Sequence, residues 1–471
     1  MERVSTDICV IGAGSGGLSV AAGAAQMGAR VVLIEAADMG GDCLNHGCVP
    51  SKALLAAAKA AHAMTDGARF GITPVTPEVD FAAVQRHVAG VIATIAPVDS
   101  QERFEKLGVQ VIRAWGRFIS PTKLQAGGQI VAARRFVIAT GSRPFIPDIP
   151  GLCDVPYLTN ETVFSVIEKP SHLLILGSGP IAMEMAQAHC RLGCQVTVIG
   201  RSPALAREDR ELATPVLDQL QAEGVKIIED GAAERIEGGT GVAVILSDGR
   251  RMTGSHLLVA TGRKVALDDL GLEAAGVKRT DRGVGVDKSL RTSNRRIYAV
   301  GDAAGQGQFT HLAGYHAGVV IRQIVLGLPA KASSAHIPRA TYTDPELAQV
   351  GLTEAEARKI HGDRLTVLHW PLRDNDRAQT ERRAEGLIKL VVANGRPIGA
   401  GIVGYQAGEL ISLWAFAISS KAKLSVIAGM VQPYPTLGEV SKRVAGAYFS
   451  PKLFDNPWVK RIVGLVQRWL P

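Results

Sequence analysis

Cys43 and Cys48 are separated by four residues in the run Gly40-Gly41-Asp42-Cys43-Leu44-Asn45-His46-Gly47-Cys48-Val49-Pro50-Ser51-Lys52. Two thiols this close can form and reopen an internal disulfide, which is two-electron chemistry. The alanine-rich stretch Ser51–Ala61 predicts a helix, and a helix N-terminus beside the thiols would stabilise a thiolate. Metal binding would want further Cys or His ligands at tight spacing, and only His46 lies nearby. Cys9, Cys153, Cys190 and Cys194 are scattered through apolar or helical segments and read as core residues. Six cysteines in so long a chain do not describe a disulfide-stapled secreted domain. The pair points to redox chemistry.

What precedes the pair can hold an electron carrier. An apolar strand, Asp7–Ile11, leads into Gly12-Ala13-Gly14-Ser15-Gly16-Gly17 and a helix to about Met27; a second strand, Val31–Ile34, ends at Glu35. Gly12 makes the tight turn, Gly14 admits a pyrophosphate to the backbone, Gly17 lets the helix pack on the strand, and Glu35 can bind ribose hydroxyls. The pattern returns as strand His172–Leu176, turn Gly177-Ser178-Gly179-Pro180-Ile181-Ala182 and helix Glu184–Leu192, with Ala182 for the third glycine. Its second strand, Gln195–Ile199, ends at Gly200-Arg201 and not at an acid. Each unit closes on the same tripeptide, Ala139-Thr140-Gly141 and Ala260-Thr261-Gly262. Two copies imply two dinucleotides, one flavin-like and one nicotinamide-like. A carboxylate would repel the 2′-phosphate of NADPH, whereas arginine binds it; Arg201 and Arg207, with Arg210 near, favour NADPH, with NADH possible.

The elements that position these residues need an α/β scaffold. A chain of 471 residues has room for about three domains. Hydrophobic content of 46% with 52 glycines suits many tight strand-to-helix turns. The net charge of +8 favours anionic ligands such as phosphates, but no basic stripe is interleaved with aromatics, which excludes a nucleic-acid reader. The apolar run Ile8–Ala29 has its glycines in a phosphate-binding pattern and follows Asp7, so it is not a signal peptide. No transmembrane helix is expected, and the cytoplasm is the expected compartment.

Taken in order, these features resemble the flavin-dependent pyridine nucleotide–disulfide oxidoreductases, the family of dihydrolipoamide dehydrogenase, glutathione reductase and mercuric reductase, over nearly the whole chain. Ile297-Tyr298-Ala299-Val300-Gly301-Asp302 looks like the family's second flavin motif, and Ala340–Gly351 resembles the opening of its interface domain. The resemblance implies an α/β fold with two Rossmann-like dinucleotide-binding domains and a C-terminal α+β dimerisation domain. It places an FAD-binding domain at 1–148, an NAD(P)-binding domain at 149–268, a return segment at 269–336 and the dimerisation domain at 337–471. It makes Cys43 the thiol that meets substrate, Cys48 the thiol next to the flavin, and Lys52 with Glu184 an ion pair near the flavin ring. Gly12, Gly14, Gly17, Glu35, Gly41, Lys52, Thr140, Gly141 and Asp302 would serve FAD; Gly177, Gly179, Arg201, Arg207 and Gly262 would serve the nicotinamide nucleotide. In a homodimer, Tyr434 and Glu439 of one subunit would lie over the disulfide of the other. Electrons would run between nicotinamide, flavin, the cysteine pair and a small-molecule or protein-bound disulfide or dithiol, and no metal is implied.

Two departures shape the reading. In dihydrolipoamide dehydrogenase and glutathione reductase a His-Pro-Thr segment supplies a histidine base, with a glutamate shortly after; here it reads Tyr434-Pro435-Thr436-Leu437-Gly438-Glu439. A phenol with a pKa near 10 is a poor base at neutral pH, where an imidazole is well placed. Mercuric reductase resembles this chain in that tyrosine, and in the pattern at Gly200–Asp209, but ends in a vicinal cysteine pair; no cysteine follows Cys194, so delivery of metal by such a pair is not expected. His46 could tune a thiolate or substitute as base, and His311 follows the flavin motif. Trp458–Leu470 predicts an amphipathic helix with Trp458, Ile462, Leu465 and Trp469 on one side, and residues 452–471 carry Lys452, Lys460, Arg461 and Arg468 against Asp455. Packing on the dimer is the expected fate of such a stripe, with contact to an anionic membrane surface as the other. An alternative function is therefore a membrane-associated flavoprotein reducing quinone or another acceptor directly from flavin.

Overall fold

Fully apolar strands belong in parallel sheets covered on both faces, and the computed structural model, which describes residues 2–469, puts them there. Leu470, which closes the apolar segment read from the sequence, lies outside the described residues. The chain divides into two compact units.

The first unit takes residues up to 68, 73–202 and 225–333. One sheet runs in the order Val109–Arg113, Val31–Glu35, Glu2–Ile11, Gln129–Ile138, Lys123–Ala126, Arg117–Ser120, and Ile297–Ala299 also pairs with Gln129–Ile138. Its central strands are parallel, with Ile11 in register with Ile34 and Ile138, so Gly12, Glu35 and Ala139 emerge side by side. A second sheet, Lys226–Ile228, Gln195–Ile199, His172–Leu176 and His256–Val259, is parallel throughout and sets Leu176 beside Ile199 and Val259. Cys9 and Cys194 are buried as expected of core residues, but Cys190 is half-buried and Cys153 is exposed, because the turn Leu152–Asp154 buries Leu152 instead.

The second unit takes residues 69–72, 203–224 and the chain from 334. Its antiparallel sheet is ordered Arg339–Thr341, Glu346–Gly351, Arg396–Gly404, Leu387–Ala393, Leu365–Pro371, with the helices Ala407–Ser419, Glu439–Ala447 and Arg210–Ala222 packed on it. Lys389 Nζ lies 2.9 Å from carboxylates of Asp209, Glu211 and Glu354. Burial opposes its charge, but the three carboxylates outweigh burial and raise its pKa, so the cluster ties the Arg210–Ala222 helix to the sheet.

The helical stretch Phe81–Lys106 is long and apolar enough to cross a membrane by length and composition alone. It is broken into Phe81–Asp99 and Gln101–Lys106 at Ser100, carries Arg86, Glu102 and Arg103, and packs Phe81 and Val88 inward.

Candidate active site

The cysteine loop is folded directly onto the first phosphate turn. Gly40 donates its N–H to the Ala13 carbonyl at 3.0 Å and bridges to Gly14. At Gly41 (φ 60°) a Cβ would sit 2.8 Å from the Gly14 Cα, so no other residue permits this approach. A short helix, Gly41–Asn45, carries Cys43; Gly47 then starts the helix Cys48–Thr65, longer at both ends than Ser51–Ala61. Pro50 is tolerated because the first turn of a helix has no use for its N–H. Cys48 is therefore the first helical residue, with the positive end of the macrodipole at its thiol.

The two thiols are hydrogen-bonded to each other, and Cys48 Sγ lies 3.4 Å from Thr310 Oγ1. The charge of the pair settles on Cys48: its pKa is lowered to about 6, chiefly by the Cys43 hydrogen bond, with Thr310 and the Lys52 ammonium adding to it against burial. Cys43 is raised, first by its hydrogen bond to Cys48 and then by burial. One turn on, Lys52 Nζ pairs with Glu184 Oε2 at 2.9 Å, and Glu184, on the helix Pro180–Arg191, is only 4% exposed. The ion pair read from the sequence is present. His46 is half-buried, and its carbonyl accepts from Asn160 Nδ2 at 3.1 Å.

A flavin dinucleotide fits what surrounds the loop. A Cβ on Gly12 would lie 2.4 Å from the Ala139 carbonyl oxygen and one on Gly17 at 1.8 Å from that of Gly12, whereas nothing lies within 4 Å of one on Gly14. The turn is closed everywhere except where a pyrophosphate needs room. Glu35 accepts from Ala13 N at 2.6 Å and Ala37 N at 2.7 Å, which fixes its carboxylate at the strand end. Thr140 Oγ1 is buried with no hydrogen-bond partner among the described residues, and an orphaned hydroxyl of this kind asks for one. Asp302, in the turn Gly301–Ala304, accepts from Ser142 Oγ at 2.5 Å, and burial raises its pKa. Gly301 N donates to the buried His316 Nδ1, which burial keeps neutral by lowering its pKa to about 4.

Sequence reasoning missed a polar chain behind the thiols. Arg263 donates to Ser142 through Nε and Nη2, both at 2.8 Å, and its Nη2 lies 3.1 Å from Asp42, which also accepts from Asn160. The residue before Cys43 is thereby linked to the Asp302 turn. Only the position of Arg263, directly after Ala260-Thr261-Gly262, hinted at it.

The second turn repeats the first. Gly177 (φ 111°) would put a Cβ 2.3 Å from the Ala260 carbonyl oxygen, and Gly179 faces open space. Gly200 occupies the register position of Glu35, and a Cβ there would lie 2.4 Å from Ser178 Oγ. Arg201 is exposed beside it; Arg207, also exposed, belongs to the second unit.

In the second unit Tyr434 is 71% exposed and donates its hydroxyl to Asp376 Oδ2 at 3.0 Å, which raises its pKa above the ordinary 10. Asn375 Nδ2 donates to the Thr436 carbonyl at 3.1 Å, holding the two segments together. Glu439 is paired with Arg443 at 2.7 Å, one helical turn on. The hydrogen-bond partner of Tyr434 is thus Asp376, distant in sequence and unforeseen.

Comparison with known proteins places these features in context. Residues 6–317 match the family model described as pyridine nucleotide-disulphide oxidoreductase, and residues 337–445 match its dimerisation domain. Mercuric reductase of Streptomyces lividans is 35% identical over 460 residues, covering 94% of this chain and 96% of that protein. Dihydrolipoyl dehydrogenase of Thermus scotoductus is also 35% identical, over 446 residues, covering 92% and 95%. Among solved structures, the HOCl-induced flavoprotein disulfide reductase RclA of Escherichia coli, as its Cu(II) complex, matches with a TM-score of 0.84 and 27% identity over 93% of this chain and 99% of that one.

Proposed function

The chain belongs to the pyridine nucleotide-disulphide oxidoreductase family, with FAD, a pyridine nucleotide and a dimerisation domain that supports a homodimer, and from that premise we propose an NADPH-preferring reductase of disulfide-type acceptors. FAD supplies two-electron transfer between nicotinamide and the cysteine pair. The chain's own residues do the rest. Gly12, Gly14, Gly17, Glu35, Gly41, Thr140, Gly141 and Asp302 would hold that cofactor, and Gly177, Gly179, Gly262 and Arg201 would receive the nucleotide. Lys52, fixed by Glu184, keeps positive charge beside the Cys48 helix start.

In the outward step the Cys43 thiol attacks one sulfur of the acceptor disulfide, its proton passing to the departing sulfur, so that a mixed disulfide forms and the first thiol leaves. Cys48 thiolate then attacks Cys43 sulfur, closing Cys43–Cys48 and releasing the second thiolate. The acceptor gains two electrons and the dithiol loses them. Tyr434 of the partner subunit, whose hydroxyl donates to Asp376, would face the departing sulfur, and Glu439 lies in the same segment.

The direction rests on Tyr434. A phenol held above its ordinary pKa cannot take a proton from a dithiol at neutral pH, so oxidation of dihydrolipoamide lacks its base, a deficit of about 10²–10⁴-fold. Reduction starts from the reduced cysteine pair and needs no base to ionise a substrate dithiol. The test is dihydrolipoamide oxidation against pH: slow turnover at neutrality, rising with pH as the substrate ionises, and partly recovered by Tyr434→His. Brisk neutral turnover removed by His46→Ala would make His46 the base; brisk turnover surviving that change would defeat the reading. Cys43→Ser should abolish reduction of every acceptor, and nothing in the comparisons supports direct transfer from flavin.

A further inference from the structure

The helix Pro457–Trp469 follows the short helix Ser450–Phe454 through Asp455 and Asn456, and Asn456 Oδ1 accepts from Trp458 N at 2.9 Å. None of its residues is buried. At 3.6 residues per turn, Trp458, Ile462, Leu465 and Trp469 fall on one face, with Val466 beside them. The two tryptophans are 69% and 74% exposed, and Ile462, Val463, Leu465 and Val466 between them are exposed as well. Lys460, Arg461 and Arg468 flank the face, Lys452 precedes it, and Asp455 is the one acid from 450 to 469. The Arg461 guanidinium lies 5.4 Å over the Trp458 ring, that of Arg468 5.7 Å over Trp469, and Lys452 Nζ 4.0 Å over Tyr448. The helix lies beyond the residues matched to the dimerisation domain, which end at 445.

We propose that this helix lies flat on an anionic membrane surface, with its tryptophan face in the headgroup–acyl boundary and its basic flanks among the lipid phosphates. Thirteen residues rise about 20 Å, too short to cross a hydrocarbon core of about 30 Å, so it lies on the surface and does not span it. Tryptophan at both ends suits the interface, where an amphipathic ring is half solvated, and lysine and arginine extend from there to phosphates. A second copy is the poorer occupant: it would set the same cations against each other on a chain already at +8. An anionic bilayer supplies the missing charge. This attachment leaves the path of electrons through Cys43 unchanged.

The full-length, FAD-loaded protein should co-sediment with phosphatidylcholine vesicles containing about one third phosphatidylglycerol. Each basic residue near such a surface is worth about fivefold, so four cations against one anion should favour these vesicles over pure phosphatidylcholine on the order of a hundredfold. Salt should weaken the binding, and tryptophan emission should shift to the blue. Ile462→Glu with Leu465→Glu should abolish binding, and Lys460→Glu with Arg461→Glu should reduce it tenfold or more, both leaving reduction of a soluble disulfide intact. Equal affinity for both vesicle types, or none for either, overturns the proposal. So does dissociation of the dimer in sedimentation by the Ile462 and Leu465 double variant, which would place the face between subunits.

Discussion

The two dinucleotide turns are nearly the same backbone put to different uses. Gly12 and Gly177 share a positive φ and the same close approach to a strand-end carbonyl, and Gly14 and Gly179 both face open space. They part at the end of the second strand. Glu35 stands there in the first, held by two backbone N–H groups, and Gly200 in the second, followed by Arg201. The segments that follow differ as well: the first carries Cys43 to a helix start at Cys48, and the second leads through arginines to the helix Arg210–Ala222. Even the repeated threonine diverges, since Thr261 Oγ1 donates to the Phe145 carbonyl at 2.8 Å while Thr140 has no partner among the described residues. Backbone geometry selects a pyrophosphate; the residues after the second strand select which dinucleotide and what it does.

The largest effect should come from giving each turn the same extra methyl. Gly12→Ala and Gly177→Ala both force a Cβ against a carbonyl at a strained φ, a cost of about 2–5 kcal/mol at each turn. Gly12→Ala should purify without flavin. Gly177→Ala should stay yellow, accept electrons from a chemical reductant, and lose turnover with NADPH by 100-fold or more. Loss of flavin from both variants would mean the turns do not serve separate nucleotides.

Next in size is the exchange of the strand-end residues. Arg201→Ala should raise the KM for NADPH about 10–100-fold, the worth of a charge-assisted phosphate contact, and leave NADH nearly unchanged. The reverse design must respect Gly200, where a side chain meets Ser178 Oγ; Gly200→Glu combined with Ser178→Gly should move preference toward NADH. Wild-type protein that prefers NADH by kcat/KM would end the arginine argument.

Much of this was legible because the signals are local. Glycine spacing, the strand-end acid and the cysteine pair are each contained in a few tens of residues, and so are the apolar strands that lead into both turns. Both helices begin earlier than the sequence predicts, the Glu184 helix at Pro180 and the Ser51 helix at Cys48, and the first turn of each accepts its proline. Apart from the Lys52–Glu184 pair, which the family resemblance supplied, contacts between distant segments left no trace in the sequence. Thr310 meets Cys48 across 262 residues, Arg263 joins Asp42 to Ser142, and Asp376 claims the Tyr434 hydroxyl. Such pairs are set by how sheets and loops stack, which no short window contains.

The finest distinction between the two segments is the thiolate that only the first carries. In the two-electron-reduced protein the long-wavelength absorption of a thiolate against flavin should titrate with Cys48, near 6, and vanish in Cys48→Ser. A lowered thiol pKa stabilises the fold above the unfolded value of about 8.5, and that contribution is lost as pH falls through about 6. Band and stability should therefore fade together on acidification. Thr310→Val removes one hydrogen bond to the charged sulfur, worth about 1 kcal/mol, and should raise the midpoint by somewhat under one unit. Glu184→Gln should move it the other way, because the carboxylate opposes the thiolate and partly cancels Lys52. Shifts of opposite sign from these two variants would locate the charge between Thr310 and Lys52, on Cys48. Thr310 touches both sulfurs, so Glu184→Gln decides: a midpoint that ignores that variant would move the charge to Cys43 and reverse the roles of the two cysteines.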